Sequence, residues 1–276
     1  MEMIKLKKIT KRKKYIFAIV IIILLIFCYW QNNMLTVSDY RYSSPKISTE
    51  LDGFRIVQIS DLHNKKFGNR LIKKISALNP DIIAITGDIV DSNHTNIETA
   101  LEFAEKSAEI APTYYVTGNH EYWLDTAERE KLFSGLKSAG VQILDNETIT
   151  VKKNNCAFSL TGIDDKMLSD SFSRFLPTNE NTLNILLAHE PQYIHDYSTY
   201  GSVDLVLTGH AHGGQFRLPF IEGLVAPDQG FFPKYTSGLH ESADTSMIIS
   251  RGLGNSVIPL RLFNFPDIVC VDLEKS

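Results

Sequence analysis

Residues 54–63 read FRIVQISDLH and residues 81–91 read DIIAITGDIVD. Each is a short apolar run rich in β-branched residues that breaks off abruptly into acidic residues joined by a histidine or a glycine. Runs without polar alternation fit strands buried on both faces. TYYVTG (113–118), CAFSLTG (156–162), TLNILLA (182–188), VDLVLTG (203–209), SMIIS (246–250) and IVCVDL (268–273) have the same character. Between the early members the spacing predicts helices at about 69–78, 95–110 and 125–138. This alternation argues for an α/β domain with a largely parallel core. No internal repeat, low-complexity tract or internal linker interrupts it, so residues 51–276 read as one unit.

The composition agrees with a globular chain. Of 276 residues, 43% are hydrophobic and 22% charged. Those values exclude a disordered chain, a collagen-like repeat and a disulfide-stapled miniprotein. The isoelectric point of about 6.1 excludes a polybasic nucleic-acid binder, so no nucleic-acid partner is expected. Nothing in the sequence implies a protein partner. Cys156 and Cys270 lie in strand-like runs and read as buried free thiols rather than a disulfide.

The net charge of −4 is unevenly spread. Residues 1–14 hold seven basic side chains and one acid, a net of +6, which leaves −10 for the other 262 residues. Next comes YIFAIVIIILLIFCYW, residues 15–30, sixteen residues without charge, Gly or Pro. Alone it is short of the roughly 20 residues that a spanning helix wants. The uncharged stretch that follows can supply the outer interface, and Tyr29 and Trp30 suit an aromatic belt. A cleaved signal peptide has a similar apolar length, but FCYWQNNMLTV offers no small-x-small cleavage site. Cys28 lacks the small residues that precede a lipidated cysteine, and Lys11-Arg12 is no twin-arginine signal. The expectation is a basic cytoplasmic stub (1–14), a transmembrane signal-anchor (15–35), a linker or edge strand (36–50) and a catalytic domain (51–276). The positive-inside rule makes this a single-pass protein of the cell membrane with its domain extracytoplasmic.

Five of the strands end in bursts of metal-ligand residue types. They are Asp61 and His63; Asp88, with Asp91 three further on; Asn119, His120 and Glu121; His189; and His210 with His212. In open α/β sheets the carboxyl ends of strands converge on a ligand crevice. A set of carboxylates, an amide and imidazoles without thiolate suits Mn, Fe, Zn or Co. The donors outnumber the needs of one ion, so two divalent metal ions are expected, with a carboxylate able to bridge them. With a bridging hydroxide the pocket would hold a charge of about +1 inside an acidic domain, which favours a phosphorylated substrate. Taken singly, each burst is weak evidence. A lone Asp-x-His is usually incidental, and GNHE alone could be a solvated turn. The order of five bursts, each behind an apolar strand, makes coincidence a poor account. His94, His195 and His240 match nothing and read as surface or structural residues.

In that order the bursts resemble the calcineurin-like metallophosphoesterases, whose pattern is D-x-H, GD-x-x-D, GNH-[DE], a lone His and GH-x-H. The likeness spans about residues 54–272. The tail GHAHGGQFRLPF … APDQGFFPKYTSGL … SRGLGNS is similar to a membrane-associated bacterial branch that includes Tat-exported phosphodiesterases and UDP-diacylglucosamine pyrophosphatases. The resemblance implies a four-layer α/β/β/α sandwich of two mixed β-sheets. It implies one metal held by Asp61, His63, Asp88 and His212, and a second by Asp88, Asn119, His189 and His210. It makes His120 a catalytic residue that contacts phosphate or protonates the leaving oxygen, with Asp91 and Glu121 orienting the ligands. Two-metal chemistry then gives in-line attack on phosphorus by a metal-bound hydroxide.

The stretch QFRLPFIEGLVAPDQGFFPKYTSG, residues 215–238, is unusually apolar for a loop region. Phe216, Phe220, Phe231, Phe232 and Tyr235 either pack on the sheet as core or form an apolar wall beside the metals. Arg251 is either a phosphate clamp or a structural ion-pair partner. Three functions follow. The first is a phosphodiesterase or pyrophosphatase acting on membrane or cell-envelope lipid phosphoesters. The second is a broad phosphodiesterase or nucleotidase with soluble substrates. The third is a silent metal- or phospholigand-binding protein, against which stands the presence of every ligand.

Overall fold

The computed structural model describes residues 11–168, 172–218, 220–255 and 258–276. In chain order, the first part comprises α1 (Lys11–Asn33), β1 (Thr36–Ser44), β2 (Arg55–Ile59), α2 (Asn69–Ala77), β3 (Ile82–Thr86), α3 (Ile97–Ala108), β4 (Thr113–Val116), α4 (Asn119–Trp123), α5 (Thr126–Ser138) and β5 (Gln142–Ile143). Then come β6 (Glu147–Lys153), β7 (Cys156–Gly162), α6 (Asp165–Leu168), β8 (Asn184–Leu187), α7 (Ile194–Tyr200) and β9 (Leu205–Thr208). The last part comprises β10 (Val225–Ala226), β11 (Gly230–Phe231), β12 (Gly238–Ser242), β13 (Thr245–Ile249) and β14 (Asp267–Lys275).

Two six-stranded sheets form, in the orders β1-β14-β2-β3-β4-β5 and β12-β13-β9-β8-β7-β6. Strands β2 to β5 run parallel, as do β7, β8, β9 and β13. Both sheets are mixed, because β14 joins β2 antiparallel and β6 and β12 join as antiparallel edges. All eight apolar runs are strands. β3 is buried at every position because it is central in its sheet and covered on both faces.

Apolar side chains divide the molecule into four layers. Ile56, Ile82, Val116, Leu160, Ile185, Leu207, Ile248 and Val271 pack between the two sheets. Val57, Ile83, Ile85 and Tyr115 face the other way, under α2, α3 and α5. Leu186, Val206 and Met247 face Ile194 and Tyr197 of α7. Two of the three anticipated helices have side-chain N-caps, and α2 starts after Gly68 without one. Asn96 Oδ1 accepts the Thr99 N–H (3.0 Å) ahead of α3, and Asp125 Oδ1 accepts the Glu128 N–H (2.8 Å) ahead of α5.

Helix α1 is 23 residues long, about 35 Å at 1.5 Å per residue, and its apolar side chains are exposed. It is long and apolar enough to cross a membrane, and no other helix among the described residues is. Its first described turn already contains Lys11–Lys14, so the helix reaches into the basic block. Its other end is fixed to the domain. Gln31 is buried, Trp30 packs edge-on against Phe265 (4.8 Å between ring centroids) and Phe27 against Phe263 (5.9 Å). The Arg261 N–H donates to Asn32 Oδ1 (3.1 Å) and Lys65 donates to the Asn32 carbonyl. After residues 34–35 β1 begins, and it pairs with β14 along all nine of its positions.

Among the cysteines, Cys270 is a buried free thiol, but Cys156 is only half-buried. It opens β7 beside the edge strand β6, where its thiol donates to exposed Glu50 (3.2 Å). The aromatic stretch departs further from a core reading. Phe216 and Tyr235 are half-buried, while Phe220, Phe231 and Phe232 stand in solvent on turns that leave the sheet.

Candidate metal centre

The parallel strands of the two sheets deliver their carboxyl ends to one place. Asp61 and His63 follow β2, Asp88 follows β3, Asn119 follows β4, His189 follows β8, and His210 and His212 follow β9. Asp61, His63, Asp88 and His212 offer ligand atoms within 4.8 Å of one another, as do Asp88, His189 and His210. Asp88 is common to both sets. Its Oδ1 accepts the His120 N–H (2.9 Å), which fixes the carboxylate. Its Oδ2 lies 3.5 Å from His63 Nε2 and 3.3 Å from His189 Nε2, between the two sets.

The backbone is bent to make this possible. Asp61, His63, Asp88, His210 and His212 all have φ between 45° and 66°, a region that non-glycine residues avoid. Strain of this kind persists only where surrounding structure holds it, and it gathers at functional sites. Two glycines make room. A Cβ at Gly87 (φ 85°) would lie 2.5 Å from His189 Nδ1, and one at Gly209 would lie 1.8 Å from Ser60 Oγ.

The hydrogen bonds show which ring nitrogens carry protons. His189 Nδ1 donates to the Thr86 carbonyl (2.8 Å), so in the neutral ring Nε2 is bare. That bare nitrogen faces Asp88 Oδ2, Asn119 Oδ1 (3.2 Å) and His210 Nδ1 (3.1 Å). His210 Nε2 donates to Asp228 Oδ2 (2.9 Å), which leaves Nδ1 bare as well. With both rings neutral, four acceptors point at one another, an arrangement that needs a cation among them: a metal, or in its absence the second proton of His189. In the other set the Nε2 atoms of His63 and His212 face each other at 3.1 Å, and Asp61 Oδ1 lies 3.5 Å from His212 Nε2. The donor set and its convergence fit divalent metal at both positions.

Electrostatics agree. Burial pushes the His63 and His212 pKa values down, and for His212 the neighbouring His63 and buried Arg261 push further. Both rings are therefore neutral, the form that binds metal. His189 is opposite. Burial disfavours its charge, but the Asp88 carboxylate outweighs burial and raises its pKa well above the ordinary value. Burial would raise Asp88, yet His189 and then His63 hold it well below the usual carboxylate range. A metal would replace the proton on His189.

The supporting residues explain the loops. Glu121 is fully buried and accepts the N–H groups of Gly118 (2.7 Å), Asp88 (3.0 Å) and Ile89 (2.9 Å), so one carboxylate ties two ligand loops together. Burial and then Asp88 push it up to about 7, against those donors. His120 is held at the rim. Its Nδ1 accepts the Ser92 N–H (3.1 Å), so a proton on the neutral ring sits at Nε2. Its ring lies edge-on to His63 at 4.5 Å. Asp91 Oδ1 accepts the Asn93 N–H (2.9 Å) and stands 3.8 Å from His120 Nδ1. Arg251 is not brought to the cluster. Its guanidinium pairs with Asp267 (3.0 Å) and donates to Thr36 Oγ1 (3.1 Å), joining β13, β14 and β1. His94, His195 and His240 lie outside both ligand sets.

Sequence reasoning missed Asp228, Arg261, Asn264 and Ser92. Asp228 sits at the PDQG turn, the one sequence signal that could have marked it. Buried Arg261 donates to the Gly254 and Arg251 carbonyls and has Nη2 3.5 Å from His212 Nδ1. Asn264 donates to the His212 carbonyl (2.7 Å).

Residues 54–214 match the family model described as calcineurin-like phosphoesterase. The chain belongs to the calcineurin-like phosphoesterases. It is 31% identical over 227 residues to phosphodiesterase YaeI of Escherichia coli (strain K12), covering 80% of this chain and 82% of that one. It is 29% identical over 259 residues to the uncharacterized metallophosphoesterase YkuE of Bacillus subtilis (strain 168), covering 90% and 88%. A transmembrane protein with metallophosphoesterase domain from Danio rerio is 30% identical over 262 residues, covering 87% of this chain and 57% of that protein. The two mixed sheets with their helical layers are the calcineurin-like phosphoesterase fold. The chain is a metal-dependent phosphoester hydrolase.

Proposed function

We propose that this calcineurin-like phosphoesterase is a dinuclear phosphodiesterase or pyrophosphatase, anchored in the cell membrane by α1 with its domain outside the cytoplasm. Its substrates are phosphoesters of membrane or envelope lipids. The observation that carries the dinuclear reading is the position of Asp88 Oδ2 between two sets of converging ligand atoms. Asp61, His63, Asp88 and His212 would hold one ion, and Asp88, Asn119, His189 and His210 the other. Bound there, divalent ions supply charge neutralisation at phosphoryl oxygens and an activated water.

The chain's own residues do the rest. Glu121 and the His120 N–H hold the Asp88 loop rigid. Asp228 fixes the His210 ring, a support whose loss costs about 10–100-fold in metal affinity or activity in comparable sites. His120, with its proton on Nε2, donates toward the phosphoryl or leaving-group oxygen, a contribution of about 10²–10⁴-fold. Arg251 is assigned to structure rather than to phosphate.

The lipid assignment rests on the anchor. With only residues 34–35 between α1 and β1, the domain stays at the membrane surface. The test is a substrate panel with metal-loaded full-length protein: a phosphomonoester, a phosphodiester, a nucleotide pyrophosphate and a lipid phosphodiester. The expected result is turnover of the diester and pyrophosphate classes, fastest with lipid. Asp88→Asn is expected to be inactive, and His120→Ala to lose about 10²–10⁴-fold in kcat with its metals kept. Metal loss in His120→Ala would refute the role given to that residue. A clear preference for soluble nucleotides would favour the second reading.

A further inference from the structure

Leu218, Phe220, Ile221, Phe231 and Phe232 are exposed large apolar side chains, and their placement offers them a partner outside the chain. Leu218 and Ile221 exchange both backbone hydrogen bonds (3.0 and 2.9 Å), making a tight hairpin with Phe220 in its turn. Phe220 is fully exposed and has φ of 69°. Turns that demand positive φ ordinarily take Gly, Asn or Asp. A bulky ring held outward in that conformation is disfavoured twice in water, by backbone and by hydration. Leu218 and Ile221 are exposed beside it.

The base of this hairpin is sewn to the seam where α1 enters the domain. Phe216 bridges Leu262, and the Arg217 N–H donates to the Leu262 carbonyl (2.9 Å). The next residue, Phe263, is itself half-exposed and packs on Phe27 of α1, and Phe265 packs on Trp30. A second turn joins the same substructure, since the Leu224 N–H donates to Phe216 O and the Phe232 N–H to Leu224 O. It carries Phe231 (76% exposed), Phe232 (67%) and, at its tip, the Asp228 that holds His210.

Helix length points the same way. The sixteen apolar residues of α1 rise about 24 Å, against a hydrocarbon core of about 30 Å. A span short by about 6 Å draws the bilayer surface toward it by local thinning, which brings apolar groups beside the helix end to the interface. Interfacial elements bury their apolar faces by about 5–10 Å.

We propose that Leu218, Phe220, Ile221, Phe231, Phe232 and Phe263 insert into the bilayer leaflet that α1 enters and hold the Asp228–His210 edge of the metal cleft at headgroup level. The face recognises the lipid interface itself, and the cleft then receives phosphoesters from the membrane plane. The inference rests on α1 spanning the membrane and deepens the lipid reading. It replaces the apolar wall for a bound chain with a face that meets the bilayer.

The test uses full-length protein in phosphatidylcholine–phosphatidylglycerol nanodiscs. Phe220→Cys, and separately Ile221→Cys, are labelled with an environment-sensitive fluorophore after Cys28→Ser and Cys156→Ser remove the other accessible thiols. Lipids with a nitroxide at acyl carbon 5 are expected to quench both labels by more than half, with blue-shifted emission. Unquenched, water-like emission from both positions overturns the proposal whatever substrate the enzyme takes. Independently, Phe220→Asp is expected to lower kcat/KM about tenfold on a lipid phosphodiester in vesicles and to leave a soluble chromogenic phosphodiester within twofold. Equal loss on both substrates would also overturn it. Quenched labels in an enzyme that cleaves no lipid would uphold the insertion and refute the substrate class alone.

Discussion

In the proposed centre, Asp88 is the side chain common to both ligand sets. Its backbone lies at φ 51°, one oxygen is fixed by the His120 N–H, and the other faces His63 and His189. The Asp88–His189 pair also gives the centre a definite pH response. A His189 pKa raised well above the ordinary value means the metal-free ring is protonated at neutral pH. The group must lose that proton to bind metal. Raising pH toward the folded pKa therefore strengthens metal binding, and lowering it weakens binding. In the metal-free protein the sign for stability is the reverse. The raised pKa stabilises the fold fully below the ordinary histidine value, and that stabilisation disappears as pH rises through the folded pKa. Calorimetric titration with Mn²⁺ in two buffers of different ionisation enthalpy is expected to show about one proton released per chain near neutral pH. No release would mean that His189 is neutral before metal arrives.

At the scale of elements, β1 and its attachment matter most. The Arg251–Asp267 ion pair, with Thr36 and Ser38 donating to the same carboxylate, ties the edge strand β1 to β14. Asp267 is almost fully buried, so removing its partner leaves an uncompensated charge. Arg251→Ala is expected to destabilise the protein by roughly 3 kcal/mol, the lower end for such buried pairs. Urea unfolding checks it, with metal content unchanged. A loss of substrate affinity without a loss of stability would restore the phosphate-clamp reading. The eight strands and three helices were legible because apolar runs and helical spacing carry their own periodicity, with caps at α3 and α5. The five bursts were legible because parallel strands must end on one side of the sheet. Asp228, Arg261 and Asn264 were not, since each reaches its histidine from a loop whose path only tertiary packing sets. Of the five aromatics of 215–238, Phe216 and Tyr235 are half-buried, while the exposure of Phe220, Phe231 and Phe232 was not legible for a related reason. Apolar composition records a preference for leaving water, and it does not say whether protein or lipid receives the ring.

The whole molecule separates its charges and its tasks. The basic end precedes a helix of membrane length, and the acidic remainder carries a buried cluster of imidazoles and carboxylates. A C-terminal alkaline phosphatase fusion is expected to be active and a fluorescent-protein fusion at the same end dark, since the domain is assigned to the outside. The opposite pair of results would invert the topology. Because the domain is acidic, phosphate is attracted by the metals rather than by the protein surface. On the proposed two-metal reading, metal content and turnover rise and fall together, and both depend on the carboxylate shared by the two ligand sets. The decisive measurement is metal analysis of full-length wild-type protein and Asp88→Asn, paired with hydrolysis of a chromogenic phosphodiester. The account predicts about two divalent ions per wild-type chain, one or fewer in Asp88→Asn, and turnover only in the wild type. Full metal content and activity in Asp88→Asn, or activity in wild-type protein stripped of metal, would contradict it.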